Sequence, residues 1–213
     1  MERTDTVIVV AAGEGPALPD LPDSAFVIAA DGGLDRALQL GLRPRVVLGD
    51  LDSVSEAALR WAEDEGVRVV RHPAEKDATD LELALDEAVA LEARRVLVIA
   101  SAGGRLDHLL SATLLLAAPA YAGVEIDALV GEALLHVVRD VRVLAGTPGE
   151  ILTLVAVGGI ARGVVTEGLA YPLRGETLQP SSSRGVSNVF SAPEARVTVE
   201  RGVVLAIRPG AAA

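Results

Sequence analysis

Two aspartates one residue apart, Asp50 and Asp52, stand in the segment Gly49-Asp50-Leu51-Asp52-Ser53. Residues two apart in an extended chain point to the same side, so the pair offers two carboxylates together. Hard oxygen donors of this kind suit Mg²⁺, which takes one or two carboxylates plus waters and substrate phosphates. The plainer reading of the same residues is a turn with Asp52 near a helix N-terminus, where a negative charge is favoured anyway. A second polar cluster, Lys76-Asp77-Ala78-Thr79-Asp80-Leu81-Glu82, holds the chain's single lysine beside 18 arginines. Asp80 could complete a metal site with Asp50 and Asp52, while Lys76 offers a point charge to phosphate. An ordinary capping box, Thr79 with Glu82, accounts for part of this cluster without any ligand.

Two further clusters carry the same ambiguity. In Asp31-Gly32-Gly33 the glycines allow close approach to the backbone, and Asp31 could hold a ribose hydroxyl, an amine or a metal-bound water. A Gly-rich turn is the alternative. In Ser101-Ala102-Gly103-Gly104-Arg105-Leu106-Asp107-His108, Arg105 could fork onto phosphate oxygens, and Asp107 could accept a proton or orient a hydroxyl. His108, His72 and His136 read as structural.

The elements that must position these residues follow from hydrophobic patterning. Thr6–Ala12, Phe26–Ala30, Arg45–Leu48, Val67–Arg71 and Val96–Ser101 are short β-branched runs that read as strands buried on both faces. Helical patterns alternate with them: Leu34–Leu40 ending at Gly41, a helix opened by a Ser53/Glu56 capping box, one from Thr79 to about Glu92, and one from Arg105 to about Ala117. The alternation predicts a mostly parallel, doubly wound sheet, with every polar cluster at the carboxyl end of a strand. The uncharged stretch Leu109–Val124 reads as a buried helix and its exit. Beyond it the chain turns to short strands punctuated by glycine: Val124–Val130, Ala133–Val138, Glu150–Val157, Ile160–Thr166, Arg196–Glu200 and Val203–Ile207. These predict a small all-β sandwich or barrel-like domain. The expected division is an α/β domain over 1–130, catalytic and nucleotide-binding, and a β-rich domain over 131–213.

Composition narrows the classes. Lys plus Arg is 19 and Asp plus Glu is 30, a formal net charge of −11, which repels a nucleic-acid backbone. There is no cysteine, which removes disulfides and thiolate metal sites and suits a reducing, cytoplasmic setting. No stretch is long and apolar enough to predict a membrane span. Neither a Gly-x-x-x-x-Gly-Lys-Ser/Thr loop nor a Gly-x-Gly-x-x-Gly fingerprint is present. Three groups of carboxylates with Lys76 and Arg105 together fit a Mg²⁺–polyphosphate site, where the protein positions groups and neutralises charge.

The segments 31–53, 76–85, 103–108, 167–173 and 185–188 resemble, in order, the motifs of the thiamine pyrophosphokinase family. The resemblance implies an α/β catalytic domain and a β domain, paired as a homodimer with the thiamine pocket across it. It implies Mg²⁺-dependent transfer of a pyrophosphoryl group from ATP to the thiamine hydroxyl, giving thiamine diphosphate and AMP. It places Mg²⁺ on Asp50, Asp52 and Asp80. Asp31, Gly32, Gly33, Thr79, Gly103 and Gly104 then surround ATP with Lys76 and Arg105, and Asp107 lies by the reacting hydroxyl. Ser187 and Asn188 line the thiamine pocket. Two departures bear on the acceptor: Ala112 replaces a frequent Asn, and the last strand, Val203–Ile207, lacks an aromatic ring for stacking. Alternatives are a pyrophosphokinase for another small alcohol such as a hydroxymethylpterin, a nucleotide-sugar transferase using its D-x-D metal, and an inactive thiamine- or nucleotide-binding module.

Overall fold

The structure, a computed structural model, describes residues 5–13, 21 and 24–210. Among these it forms two units. One holds the residues up to Ala112 with Gly123–Glu132, the other Thr113–Ala122 with those from Ala133 onward.

In the first unit, β1 (Thr6–Val10), β2 (Phe26–Ala30), β3 (Val46–Gly49), β4 (Arg68–Arg71), β5 (Arg95–Ala100) and β6 (Glu125–Val130) pair in parallel in the order β4-β3-β2-β1-β5-β6. β1 and β2 bury four of their five residues each, as two-faced burial requires of central strands. β4, Arg-Val-Val-Arg, has charged ends and buries none of its residues fully, which suits an edge. The strand order reverses at β1, between β2 and β5. Open α/β sheets bind ligands beyond the carboxyl ends of the strands at such a reversal.

Helices follow the strands. α1 (Gly33–Gln39) packs against β1 and β2, and α3 (Asp80–Ala90) against β1, β2 and β3. α3 buries Leu81, Ala84, Leu85 and Ala88, the spacing of one helix face. α2 (Glu56–Asp64) buries only Ala58 and Ala62, so its backbone sits close against a core of Leu34, Val47 and Leu51. Thr79 caps α3 as expected, its Oγ1 accepting from the Glu82 N–H at 3.2 Å. The cap of α2 is not Ser53. Ser55 fills that place, its Oγ accepting from the Ala58 N–H at 3.2 Å, while Ser53 donates to Asp52. The Ser-x-x-Glu spacing predicted the right helix with its start two residues early. α4 (Leu106–Leu115) also departs from expectation. It buries none of its residues, and Leu106, Leu110 and Leu114 are all more than half exposed. The stretch read as a buried helix is a surface helix; burial begins at Leu116, Ala117 and Tyr121 beyond it.

The second unit is antiparallel. β7 (Ala133–Val138), β8 (Val141–Ala145), β9 (Ile151–Glu167), β10 (Arg174–Leu178), β11 (Asn188–Val189), β12 (Glu194–Thr198) and β13 (Arg201–Arg208) build it. β7 pairs with β13, and β13 with the first half of β9; the second half of β9 pairs with β10 and β12, and β12 with β8. The two runs read as separate strands are thus one 17-residue strand. Gly158 and Gly159, with φ of 68° and 151°, let it turn without ending. Phe190 is 1% exposed in a core lined by both halves of β9 through Leu152, Leu154, Ala161 and Val164.

Gly33 shows how tightly the first unit is built. A Cβ there would lie 2.0 Å from the Val10 carbonyl oxygen, a backbone atom that cannot step aside. The helix-propensity gain of alanine, up to about 1 kcal/mol, is outweighed by overpacking of roughly 1–3 kcal/mol or more. Gly33→Ala is expected to lower the urea midpoint of unfolding with an unchanged m-value. A midpoint at or above wild type would show that α1 can retreat from β1 at little cost.

Candidate functional site

Asp31, Asp50 and Asp52 each bring a carboxylate oxygen within 4.8 Å of the others. Their loops follow β2 and β3, which pair in parallel and so end on the same side of the sheet. The gathering does not come from an extended chain. Leu51, between Asp50 and Asp52, has φ of 63°, and Asp31 has φ of 48°, both left-handed. Such backbone is costly for residues other than glycine and persists where surroundings enforce it. For Leu51 the enforcement is visible: its side chain is 5% exposed in the core with Ala58 and Ala62. Burying that leucine turns the backbone, and the turn brings its acidic neighbours together. Asp31 is held by its N–H on the Leu48 carbonyl at 2.8 Å and its carbonyl under the Leu34 N–H at 3.0 Å.

Asp80 stands next to this group across Gly49. A Cβ built on Gly49 would lie 3.0 Å from Asp80 Oδ1 and 3.1 Å from Asp31 Cβ, and Gly49 has φ of 136°. The backbone calls for glycine there, and an added Cβ would press on both aspartates. Asp80 Oδ1 is turned to Lys76 Nζ at 3.1 Å, and Nζ also donates to the Pro73 carbonyl at 3.2 Å. Lys76 is 15% exposed, drawn into its loop by these contacts. The tightest trio therefore contains Asp31 where Asp80 was expected, because Asp80 is engaged by the lysine four residues before it.

The geometry accommodates a small hard cation. Neighbouring ligands of octahedral Mg²⁺ lie about 3.0 Å apart and opposite ones about 4.2 Å, so oxygens within 4.8 Å of one another would close on the ion by up to about 2 Å, a distance side-chain rotation covers. Asp31 Oδ1 is buried without a hydrogen-bond partner, and Asp80 Oδ1 is buried with no well-aligned hydrogen bond, only the lysine charge. Buried acceptors left open in this way are costly unless something else satisfies them.

Arg105 and Asp107 form a forked pair, Nε to Oδ1 at 3.2 Å and Nη2 to Oδ2 at 2.5 Å, both exposed. The hydrogen bond from Arg105 holds the Asp107 carboxyl down at about 2. A carboxylate so weakly basic is a poor proton acceptor and a good hydrogen-bond acceptor. Gly103 donates its N–H to Ser101 Oγ at 3.0 Å, and Gly104 has φ of 85°. Gly32 and Gly33 are buried, and Thr79 is engaged as a cap, so structural needs account for all three.

In the second unit, Asn188 is 3% exposed, and its amide is consumed internally. Oδ1 accepts from the Tyr171 N–H at 3.0 Å and the Val189 N–H at 2.9 Å, while Nδ2 donates to the Tyr171 carbonyl at 2.7 Å. It staples the Glu167–Leu173 segment to the Gly185–Asn188 segment. Ser187 is exposed with φ of 57°, its N–H donating to Thr153 Oγ1 at 3.0 Å. Patterning did not reveal the left-handed positions at Asp31, Leu51 and Ser187; glycine is the usual signal, and these residues are not glycine.

Family models for the thiamin pyrophosphokinase catalytic domain and the thiamin pyrophosphokinase vitamin B1 binding domain match residues 20–127 and 135–204. A thiamine pyrophosphokinase of Bacillus subtilis is 35% identical over 109 residues, 49% of this chain and 51% of its own length. The match thus spans about half of that curated relative. Among solved structures, the Bacillus subtilis thiamine pyrophosphokinase has a TM-score of 0.83 at 23% identity, covering 96% of this chain and 98% of its own. That of Geobacillus thermodenitrificans has a TM-score of 0.78 at 26% identity, covering 96% and 97%. With its two units matched in order by the family's two domains, the chain belongs to the thiamine pyrophosphokinase family.

Proposed function

We propose that the protein is a Mg²⁺-dependent thiamine pyrophosphokinase, transferring a pyrophosphoryl group from ATP to the thiamine hydroxyl and releasing AMP. The observation that carries the reading is the Asp31–Asp50–Asp52 group, with a buried, open acceptor on Asp31, at the carboxyl ends of β2 and β3. Asp50, Asp52 and Asp31 would hold the cation, and Asp80 joins them once its carboxylate turns from Lys76. When bound, Mg²⁺ neutralises phosphate charge and fixes the polyphosphate for in-line attack.

The chain's own groups do the rest. Lys76, released from Asp80 in the same movement, supplies a cation to the phosphates. Arg105 carries a fork that matches phosphate oxygens as well as it matches Asp107. Asp107, released as Arg105 turns to the phosphates, would orient the acceptor hydroxyl and regain the basicity that the Arg105 hydrogen bond holds down. Ser187 offers an exposed hydroxyl to the acceptor, and Asn188 shapes the loop that carries it. The homodimer with a shared thiamine pocket belongs to the same proposal; the exposed leucine stripe of α4 is a face that such a pairing could cover. Among the described residues, no helix is long and apolar enough to cross a membrane. The lack of cysteine suits a cytoplasmic enzyme.

With ATP, Mg²⁺ and thiamine, phosphorus NMR is expected to show AMP and thiamine diphosphate appearing in equal amounts. ADP in place of AMP, or turnover of a pterin alcohol in preference to thiamine, would remove the assigned reaction or acceptor. Asp52→Asn is expected to cut turnover roughly a hundredfold or more with little change in thermal midpoint. Wild-type turnover in that variant would take Asp52 out of the site. Arg105→Gln removes the donor that stabilises the Asp107 carboxylate, so its pKa should rise from about 2 toward the ordinary value of about 3.9. A carboxyl-detected NMR titration reads this directly, and an unmoved midpoint would mean the fork is not formed in solution.

A further inference from the structure

The carboxylates of the site sit on two loops, one leading into α1 and one leading into α2. Asp31 precedes α1, and Asp50 and Asp52 lie beyond the end of β3 and before α2. One side chain ties these loops together at their helix starts. Asp35, in the first turn of α1, accepts the Ser55 N–H on Oδ2 at 2.9 Å and the Ser55 hydroxyl on Oδ1 at 2.5 Å. Ser55 in turn accepts the Ala58 N–H on its Oγ as the cap of α2. Both carboxylate oxygens of Asp35, four residues after Asp31, are spent on Ser55, three residues after Asp52.

We infer that Asp35 is a positioning residue for the metal carboxylates, setting the offset between the two loops through its grip on Ser55; the inference rests on the metal reading of the Asp31–Asp50–Asp52 group. Packing alone does not need the clamp. α1 and α2 already share a core, in which Leu34 and Leu38 meet Ala58, Ala62 and Trp61. Apolar contacts hold two helices together while tolerating small slides along each other. A two-point hydrogen bond to a backbone N–H and its own hydroxyl removes that freedom at the ends where the ligands begin. An ionised carboxylate suits the task because it accepts on both oxygens, whereas an amide accepts on one. The charge also lies at the N-terminal end of α2, where it is favoured. Outer partners that orient metal ligands typically contribute ten- to a hundredfold in affinity.

The test is a Mn²⁺ titration followed by EPR, with the metal alone and the full chain, the site being the binding that Asp52→Asn abolishes. Asp35→Ala is expected to weaken that binding roughly tenfold or more, with Asp35→Asn in between. Leu38→Ala, which loosens the same helix pair through its core, should lower the thermal midpoint and leave Mn²⁺ affinity at the wild-type value. Should Asp35→Ala fail to fold, Ser55→Ala removes the hydroxyl arm, keeps the N–H arm and is expected to weaken Mn²⁺ binding as well. Wild-type affinity in a folded Asp35 or Ser55 variant overturns the inference. So does a loss of affinity that merely tracks the fall in thermal midpoint across all variants, Leu38→Ala included. A wild-type chain with no Asp52-dependent Mn²⁺ binding removes the metal reading itself, and this inference with it, by a result distinct from either.

Discussion

Carboxylates repel one another, and the site exists because the fold holds three of them in reach of each other regardless. Two unit charges at about 4 Å repel by about 1 kcal/mol in water and several times that where water is thinned out. In a chain with a net charge of −11 the surrounding field adds to the cost. Something must outweigh it when no cation is bound. The burial of Leu51, the buried α1–α2 core and the hydrogen bonds at both helix starts supply the compensation. The strain of the site is thus borne jointly by apolar packing and by hydrogen bonds made outside the trio.

The lone lysine makes sense on the same terms. Lys76 lies against Asp80 and the Pro73 carbonyl, so it lowers the negative potential at the flank of the trio while remaining in its loop. Its amine is a compact charge with rotatable donors and a flexible stem, which can exchange a carboxylate for a phosphate by a short swing. An arginine in its place would fork onto Asp80 and be harder to displace. Arg105 shows the contrasting arrangement, a fork committed to Asp107 on an exposed segment, where solvent screens the pair and a more highly charged phosphate can compete. On the proposed reading, phosphate would replace the carboxylate that each cation now holds.

Much of the first unit could be read from the chain. Two-faced strands declare themselves by runs such as Val-Ile-Val-Val, and strand–helix alternation leaves little choice of topology. The polar clusters were legible because they interrupt that pattern after four of the strands, β2, β3, β4 and β5. The second unit was legible only as a class. β8, β10 and β11 are short or polar, and β9 passes through Gly158-Gly159 where patterning would stop it. The choice between Ser53 and Ser55 as a cap shows why boundaries are hard to read: both are serines before a glutamate-containing turn, and a contact with Asp35, twenty residues away in the chain, selects one. Asn188 shows the same limit from the other side. A motif position suggests a ligand, yet burial and three hydrogen bonds commit its amide to the backbone of Tyr171 and Val189.

What patterning could not supply was backbone handedness, and the site depends on it. The spacing Asp-x-Asp suggested convergence on the premise of an extended strand, but convergence here comes from a left-handed residue between the two acids. A leucine accepts that conformation only if burying its side chain returns more free energy than the backbone costs, on the order of 1–3 kcal/mol. Full burial of a leucine is worth about 1.5–3 kcal/mol, so the two are of one size. The middle residue of the motif is therefore no spacer. Its buried apolar side chain anchors the left-handed turn that carries the acids on either side.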